Sequence, residues 1–175
     1  MLNRIHTEKA LNVFAKAVIA QARRNKLSGA AQSLEADVSV NPNSINLNFE
    51  GDAHIPFLDQ GVKGKQSSRK APNSPYRFGT GNFKGTGKQF EQSIGSWIKK
   101  RGLRLRDEDG KFKKGGVKTL NFLIRRSIYN TGLRPTLFFT KAFEQYFPML
   151  PDELAEAYGL DVESMIETTF KDQLK

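Results

Sequence analysis

An α+β fold is predicted: a long N-terminal helix packed on a small antiparallel sheet, then a basic loop-and-helix insertion and C-terminal helices. Three observations predict it. Apolar residues recur at three-and-four spacing over residues 7–27, alternate strictly over residues 33–49, and return to helical spacing in the segments after residue 88.

The first helix, residues 7–27, carries Leu11, Phe14, Ala15, Val18, Ile19 and Ala22 on one stripe. Thr7 and Glu8 suit its start, Arg23, Arg24 and Lys26 suit the negative end of its dipole, and Ser28-Gly29 is expected to stop it. Leu34, Ala36, Val38 and Val40, then Ile45, Leu47 and Phe49, alternate with polar residues around Asn41-Pro42-Asn43. That pattern predicts a hairpin, because proline presets its own φ and asparagine tolerates turn geometry. Asn and Ser at 44, 46 and 48 predict one wet face.

A short segment, residues 53–60, precedes residues 61–88, which are rich in Gly, Ser, Pro, Lys and Arg and lack any acid. By composition this stretch builds no core alone. It predicts either a segment that orders only on assembly or a loop facing nucleic acid, and the two are compatible. A helix follows at 89–101 (Phe90, Ile94, Trp97, Ile98), then a charged strip over residues 99–118, broken at Gly102, Gly110 and Gly115-Gly116, that reads as a hairpin or loop. The next helix, 118–130, closes at Thr131-Gly132. Arg134-Pro135-Thr136 opens a short helix that Pro148 ends, and Pro151-Asp152 begins the last, with Leu154, Tyr158, Leu160, Met165, Ile166 and Phe170 as its apolar set and Gly159 a candidate bend.

A length of 175 residues suits one domain with a proper core and is short for two, so residues 1–175 are read as a single domain. Within it, 62–118 is a basic, Gly-rich insertion and 151–175 an acidic helix. Cysteine is absent, which excludes disulfides, thiolate metal sites and cysteine nucleophiles. No run approaches the roughly 18 apolar residues of a membrane span, and Met1-Leu2-Asn3-Arg4-Ile5-His6 predicts no apolar signal core. The net charge of +10 points to polyanions, nucleic acid first. Residues 1–143 hold 26 Lys/Arg against 10 Asp/Glu, a balance of +16, and residues 144–175 hold 2 against 8, a balance of −6. The acidic part is either a solvated helix or a segment that docks on a basic surface, its own or a neighbour's.

Candidate chemistry is sparse. In Gly79-Thr80-Gly81-Asn82-Phe83-Lys84-Gly85-Thr86-Gly87-Lys88, the phosphate-loop spacing requires glycine at 82, which is Asn, and a hydroxyl at 89, which is Gln. Asp107-Glu108-Asp109 beside Lys111 does not converge on one magnesium ion in an extended chain, since neighbouring side chains face opposite ways. Only His6 and His54 are present, and neither has a serine in a triad arrangement. The expectation is no enzyme, no cofactor and no metal. Thirteen phenylalanines are a heavier load, and Leu137, Phe138, Phe139, Phe143, Tyr146 and Phe147 make a helix apolar on nearly all sides, to be covered by its own chain or by a neighbouring subunit.

Two segments carry a family resemblance. Pro56-Phe57-Leu58-Asp59-Gln60-Gly61-Val62-Lys63-Gly64 and Tyr129-Asn130-Thr131-Gly132-Leu133-Arg134-Pro135-Thr136-Leu137-Phe138-Phe139, following an N-terminal helix and a hairpin, resemble the tail-completion, or head–tail connector (neck), proteins of tailed bacteriophages over about two thirds of the chain. The long basic insertion between the segments and the acidic C-terminal extension depart from that pattern. The resemblance implies a structural virion protein forming a ring of about six or twelve copies at the portal–tail joint. It implies contact with the portal or adjacent neck and tail proteins, in the virion neck and, during assembly, the host cytoplasm, and leaves open whether the basic insertion faces packaged DNA or another protein.

The residues expected to face nucleic acid or the channel are Lys63, Lys65, Arg69, Lys70, Arg77, Lys84 and Lys88, whose ring-arrayed charge neutralises phosphate without reading bases. Those expected at subunit interfaces are Pro135, Phe138, Phe139, Phe143, Tyr146 and Phe147. The competing readings are a free, sequence-nonspecific nucleic-acid-binding protein, a magnesium-dependent nuclease using residues 107–109, and a basic ribosome-associated protein.

Overall fold

Leu11, Phe14, Ala15, Val18 and Ala22 form the buried stripe of helix α1 (Ile5–Arg24) in the computed structural model, which describes residues 4–24, 28–41, 44–80, 87–106, 108–112 and 116–173. The chain contains two compact units, one joining residues 1–55 to residues 137–175 and a second formed by residues 56–136.

In the first unit, α1 lies between a hairpin and the C-terminal helices. The fold class is as the two periodicities predict: a long N-terminal helix on a small antiparallel sheet, with helices after it. Strands β1 (Glu35–Val40) and β2 (Ile45–Glu50) pair antiparallel, with Ala36 opposite Phe49, Val38 opposite Leu47 and Val40 opposite Ile45, and the Asn41 N–H donates to the Ser44 carbonyl at 2.8 Å. Pro42 and Asn43 lie outside the described residues. Residues 25–27 lie outside the described residues, and Ser28-Gly29, expected as a stop, instead begins α2 (Ser28–Gln32), because Ala30 and Ala31 favour helix and Ala31 is fully buried. Arg23 bridges onward, its guanidinium donating to the Leu34 carbonyl at 2.7 Å.

Helix α6 (Phe138–Tyr146) supplies an aromatic cluster to this unit, whereas the expected opening at Arg134 does not occur. The Thr136 N–H is taken by the carbonyls of Leu58 and Asp59, each at 3.1 Å, and Leu137 sits at φ 53°, so helical bonding starts only afterwards. The Phe143 ring meets Phe14 edge-on at 5.6 Å and stacks on Phe147 at 5.2 Å, while Phe49 meets Phe139 edge-on at 5.2 Å. Such pairs contribute about 0.5–1.5 kcal/mol each beyond their burial. Pro148 falls in a 3-10 turn (Phe147–Met149) that leads directly into helix α7 (Leu150–Gln173), which runs through Gly159.

Leu150, Leu154, Ala157 and Asp161 share the inner face of α7. Asp161 is 1% exposed and caps α1 from outside the helix: its carboxylate accepts the backbone N–H of His6 at 2.9 Å, that of Thr7 at 3.0 Å and the Thr7 hydroxyl at 2.6 Å. These donors have no partner within the first turn of α1, where the helix dipole favours an anion. Burial pushes the Asp161 carboxyl upward, but the Thr7 hydroxyl and the two N–H groups outweigh it, and its pKa lies below the ordinary value.

The second unit is built on a clasp between its two ends. After helix α3 (Ile55–Gln60), strand β3 (Val62–Lys63) pairs antiparallel with β4 (Gly132–Leu133), which directly follows helix α5 (Val117–Thr131). Three glycines permit it. A Cβ on Gly64 would strike the Asn130 carbonyl, one on Gly132 (φ 86°) the Val62 carbonyl, and one on Gly61 (φ 72°) would lie 2.7 Å from the Leu133 oxygen. The N–H groups of Lys65, Gln66 and Ser67 complete the clasp on the carbonyls of Tyr129 and Asn130.

Residues 61–88 were expected to build no core alone, and their described part does so only together with the end of α5: Val62, Ala71 and Phe78 are buried in the clasp, and the Ser74 hydroxyl donates to the Gly61 carbonyl at 2.7 Å. Phe78 tilts against Tyr129 at 5.8 Å and Phe57 meets Tyr76 edge-on at 4.6 Å. Helix α4 (Lys88–Lys100) buries Ile98 and packs on α5, where the Asn121 amide donates to the Glu91 carbonyl at 2.9 Å and Arg125 pairs with the Glu91 carboxylate at 3.4 Å.

Two outcomes test this architecture. Gly132→Ala is expected to lower the unfolding free energy by about 3 kcal/mol or more, against about 1 kcal/mol for Gly102→Ala, which shares a positive φ but has open space around it; urea unfolding followed by circular dichroism gives both. Asp161→Asn presents an amide donor where Thr7 and His6 also donate, and is expected to cost about 1–3 kcal/mol at neutral pH. Because the folded pKa is lowered, the Asp161 contribution is present above the unfolded value of about 3.8 and is lost as pH falls through the folded one. The gap between wild type and variant should therefore narrow as pH falls below about 3.8, which unfolding curves at stepped pH will show.

Candidate nucleic-acid interface

Charge follows the two units. Residues 56–136 hold 19 Lys/Arg against 5 Asp/Glu, a balance of +14, and the remaining residues hold 9 against 13, a balance of −4. The basic character is thus concentrated in the clasped unit.

The seven cations expected to face nucleic acid have different fates. Arg77 turns inward, its guanidinium donating to the Gly64 carbonyl at 3.0 Å and to the Ser68 hydroxyl at 2.8 Å, so it binds the clasp's own loop. Lys70 is half-buried and donates to the Thr131 hydroxyl at 2.8 Å. Both thus serve as structural cations, each satisfying an acceptor within its own unit. Lys63 is half-buried in β3, with its backbone bonded to Tyr76 and Phe78. Lys65, Arg69 and Lys88 are exposed, and the Lys65 ammonium lies 5.8 Å from the centre of the Tyr129 ring. Lys84 lies outside the described residues.

A second group of cations was present in the sequence only as a charged strip. Arg106 and Phe112 form an antiparallel bridge around a turn in which Gly110 takes φ 79°, and this hairpin lays the Phe112 ring beside two guanidiniums. Arg106 is 4.6 Å and Arg104 5.8 Å from the ring centre. Both arginines are exposed, Phe112 is 58% exposed, and Leu105 between the arginines turns inward against Gly116. Lys99, Lys100 and Arg101 end α4 close by in sequence and are also exposed. An exposed ring flanked by guanidiniums offers stacking and phosphate contact together, neither of which reads base identity. The signal that would have found it is the spacing of Arg104, Arg106 and Phe112 about Gly110.

Of the residues expected at subunit interfaces, Phe138 is 1% exposed and belongs to the core of its own unit, which removes it from any contact surface. Phe139, Phe143 and Tyr146 are half-buried, and Phe147 keeps 48% of its surface open. Pro135 is half-buried against Gly61 in the clasp. Among the described residues no three His, Asp or Glu side chains gather as metal ligands, and no helix is long and apolar enough to cross a membrane. Asp107 lies outside them.

Arg77→Ala is expected to lower stability by about 1.5–3 kcal/mol, the cost of two charge-assisted bonds, whereas Arg69→Ala should change it by less than about 0.5 kcal/mol; urea unfolding of the two variants distinguishes a structural cation from a solvent-facing one. Compared with protein-family models, curated proteins and solved structures, the chain finds no significant match.

Proposed function

We propose that the protein is a non-enzymatic structural subunit that assembles into a ring around double-stranded DNA, as the neck or tail-completion component at the portal–tail joint of a tailed phage. The observation that carries this reading is the concentration of charge: a +14 unit whose exposed cations are spread over several elements, beside a −4 unit in the same chain. Such a surface attracts phosphate over roughly a Debye length of 8–10 Å and has the donors for diffuse neutralisation. Complementary charge within one chain suits head-to-tail contacts that close into a ring. Further support comes from the clasp, since the two segments that resemble the neck proteins meet there through β3 and β4.

A second reading is a free nucleic-acid-binding protein without a ring. It is favoured by the Arg104–Phe112–Arg106 arrangement, which suits unpaired bases as well as duplex.

Native mass spectrometry of the purified chain at near-physiological salt, with and without a random-sequence DNA duplex, tests the proposal. The expected result is a closed oligomer whose duplex affinity is independent of sequence and falls about a thousandfold between about 50 and 200 mM salt. A chain that stays monomeric in both samples and binds single strands tightly would move the assignment to the second reading.

A further inference from the structure

Beyond Asp161, α7 continues for about three more turns, some 18 Å, in which every described side chain from Glu163 to Lys171 is exposed. A helix this short draws its stability from packing an amphipathic face, and here the face is present without a cover. Tyr158, Val162, Met165, Ile166 and Phe170 recur at helical spacing along one side, with Tyr158 52% and Phe170 61% exposed. Glu156, Glu163 and Glu167 line the adjoining side.

The clasped unit carries the opposite surface. On α5, Phe122 and Leu123 are 53% and 45% exposed, and Lys118 and Arg126, one turn before and after Phe122, are exposed on the same side. An apolar stripe edged with carboxylates thus has a match in an apolar pair edged with cations, and both belong to one chain.

We infer that the outer stripe of α7 docks on the Lys118–Phe122–Arg126 face of α5 in a second copy of this protein. This rests on the ring reading and names its subunit contact. Two different patches meet, so the contact is heterologous and propagates from copy to copy until the arrangement closes. The apolar residues supply the burial, and the carboxylates select the basic face over another acidic one. The Arg104–Phe112–Arg106 hairpin is left to face DNA.

The cysteine-free sequence allows a direct test by disulfide trapping. Ile166→Cys and Leu123→Cys copies are prepared separately, mixed under mild oxidation and analysed by mass; an Ile166→Cys/Leu123→Cys double variant is oxidised in parallel. Both positions of change are on exposed side chains, and circular dichroism confirms that the variants fold. The expected result is a heterodimer in the mixture that neither single variant forms, and a ladder of multiples from the double variant. In a second arm, Glu163→Lys/Glu167→Lys should weaken self-association about tenfold or more, and Lys118→Glu/Arg126→Glu added to the same chain should restore it. Cross-linking of the double variant only at monomer mass would place the stripe on its own chain and overturn the inference. Oligomers that persist with the Glu163→Lys/Glu167→Lys charges and give no heterodimer would overturn the contact while leaving the ring reading standing. A wild type that remains monomeric overturns both.

Discussion

The close approach of two backbone segments, permitted by glycine at three positions, is the constraint on which the basic unit depends. Gly61, Gly64 and Gly132 bring residues about 70 apart within hydrogen-bonding distance, and no side chain larger than hydrogen fits at Gly64 or Gly132. Closing so long a loop costs several kcal/mol of chain entropy, and two residue pairs of sheet do not offset it. The balance is met by what the closure makes possible: burial of Val62, Ala71 and Phe78, and a run of N–H groups from Lys65 to Ser67 that find carbonyls at the end of α5. Arg77 and Lys70 then bind the loop to itself, which is why two cations in a strongly basic segment face inward.

The acidic unit solves a similar problem with charge. Helix α1 leaves its first N–H groups without partners inside the helix, and the Asp161 carboxylate accepts those of His6 and Thr7. The same residue marks where α7 leaves the core. Inward of it the helix is held by packing, and outward of it every described side chain from Glu163 to Lys171 is exposed. Charge therefore has two separate uses in this molecule: single ions at backbone ends hold each unit, and surplus ions on the surface give each unit its sign.

The fold class was legible because its main elements advertise a period. Six apolar positions on α1 and seven across the hairpin leave little choice of register, since a slip of one residue would turn Val38 and Leu47 to solvent. The clasp was not legible as structure. Strands of two residues show no alternation, and their pairing is decided by distant glycines whose need for close approach appears only in three dimensions. Asp161 left one trace, an acid at the position where the inner stripe of α7 calls for an apolar residue. For the candidate interface, composition located the basic region but not which cations point outward, because an arginine that serves a carbonyl and one that serves solvent look alike in sequence. Phe112 required the register around Gly110 to be known.

The first unit is assembled from the two ends of the chain, and this sets an order of events during synthesis. Residues 56–136 can close as soon as Leu133 has emerged from the ribosome, whereas α1 and the hairpin must wait for α6 and for Asp161 before their inner faces are covered. A nascent chain therefore completes its basic unit first and its acidic unit last. The outer turns of α7, which lie beyond even Asp161, become available only when the rest can already be in place, so the subunit contact inferred for them would follow folding rather than compete with it.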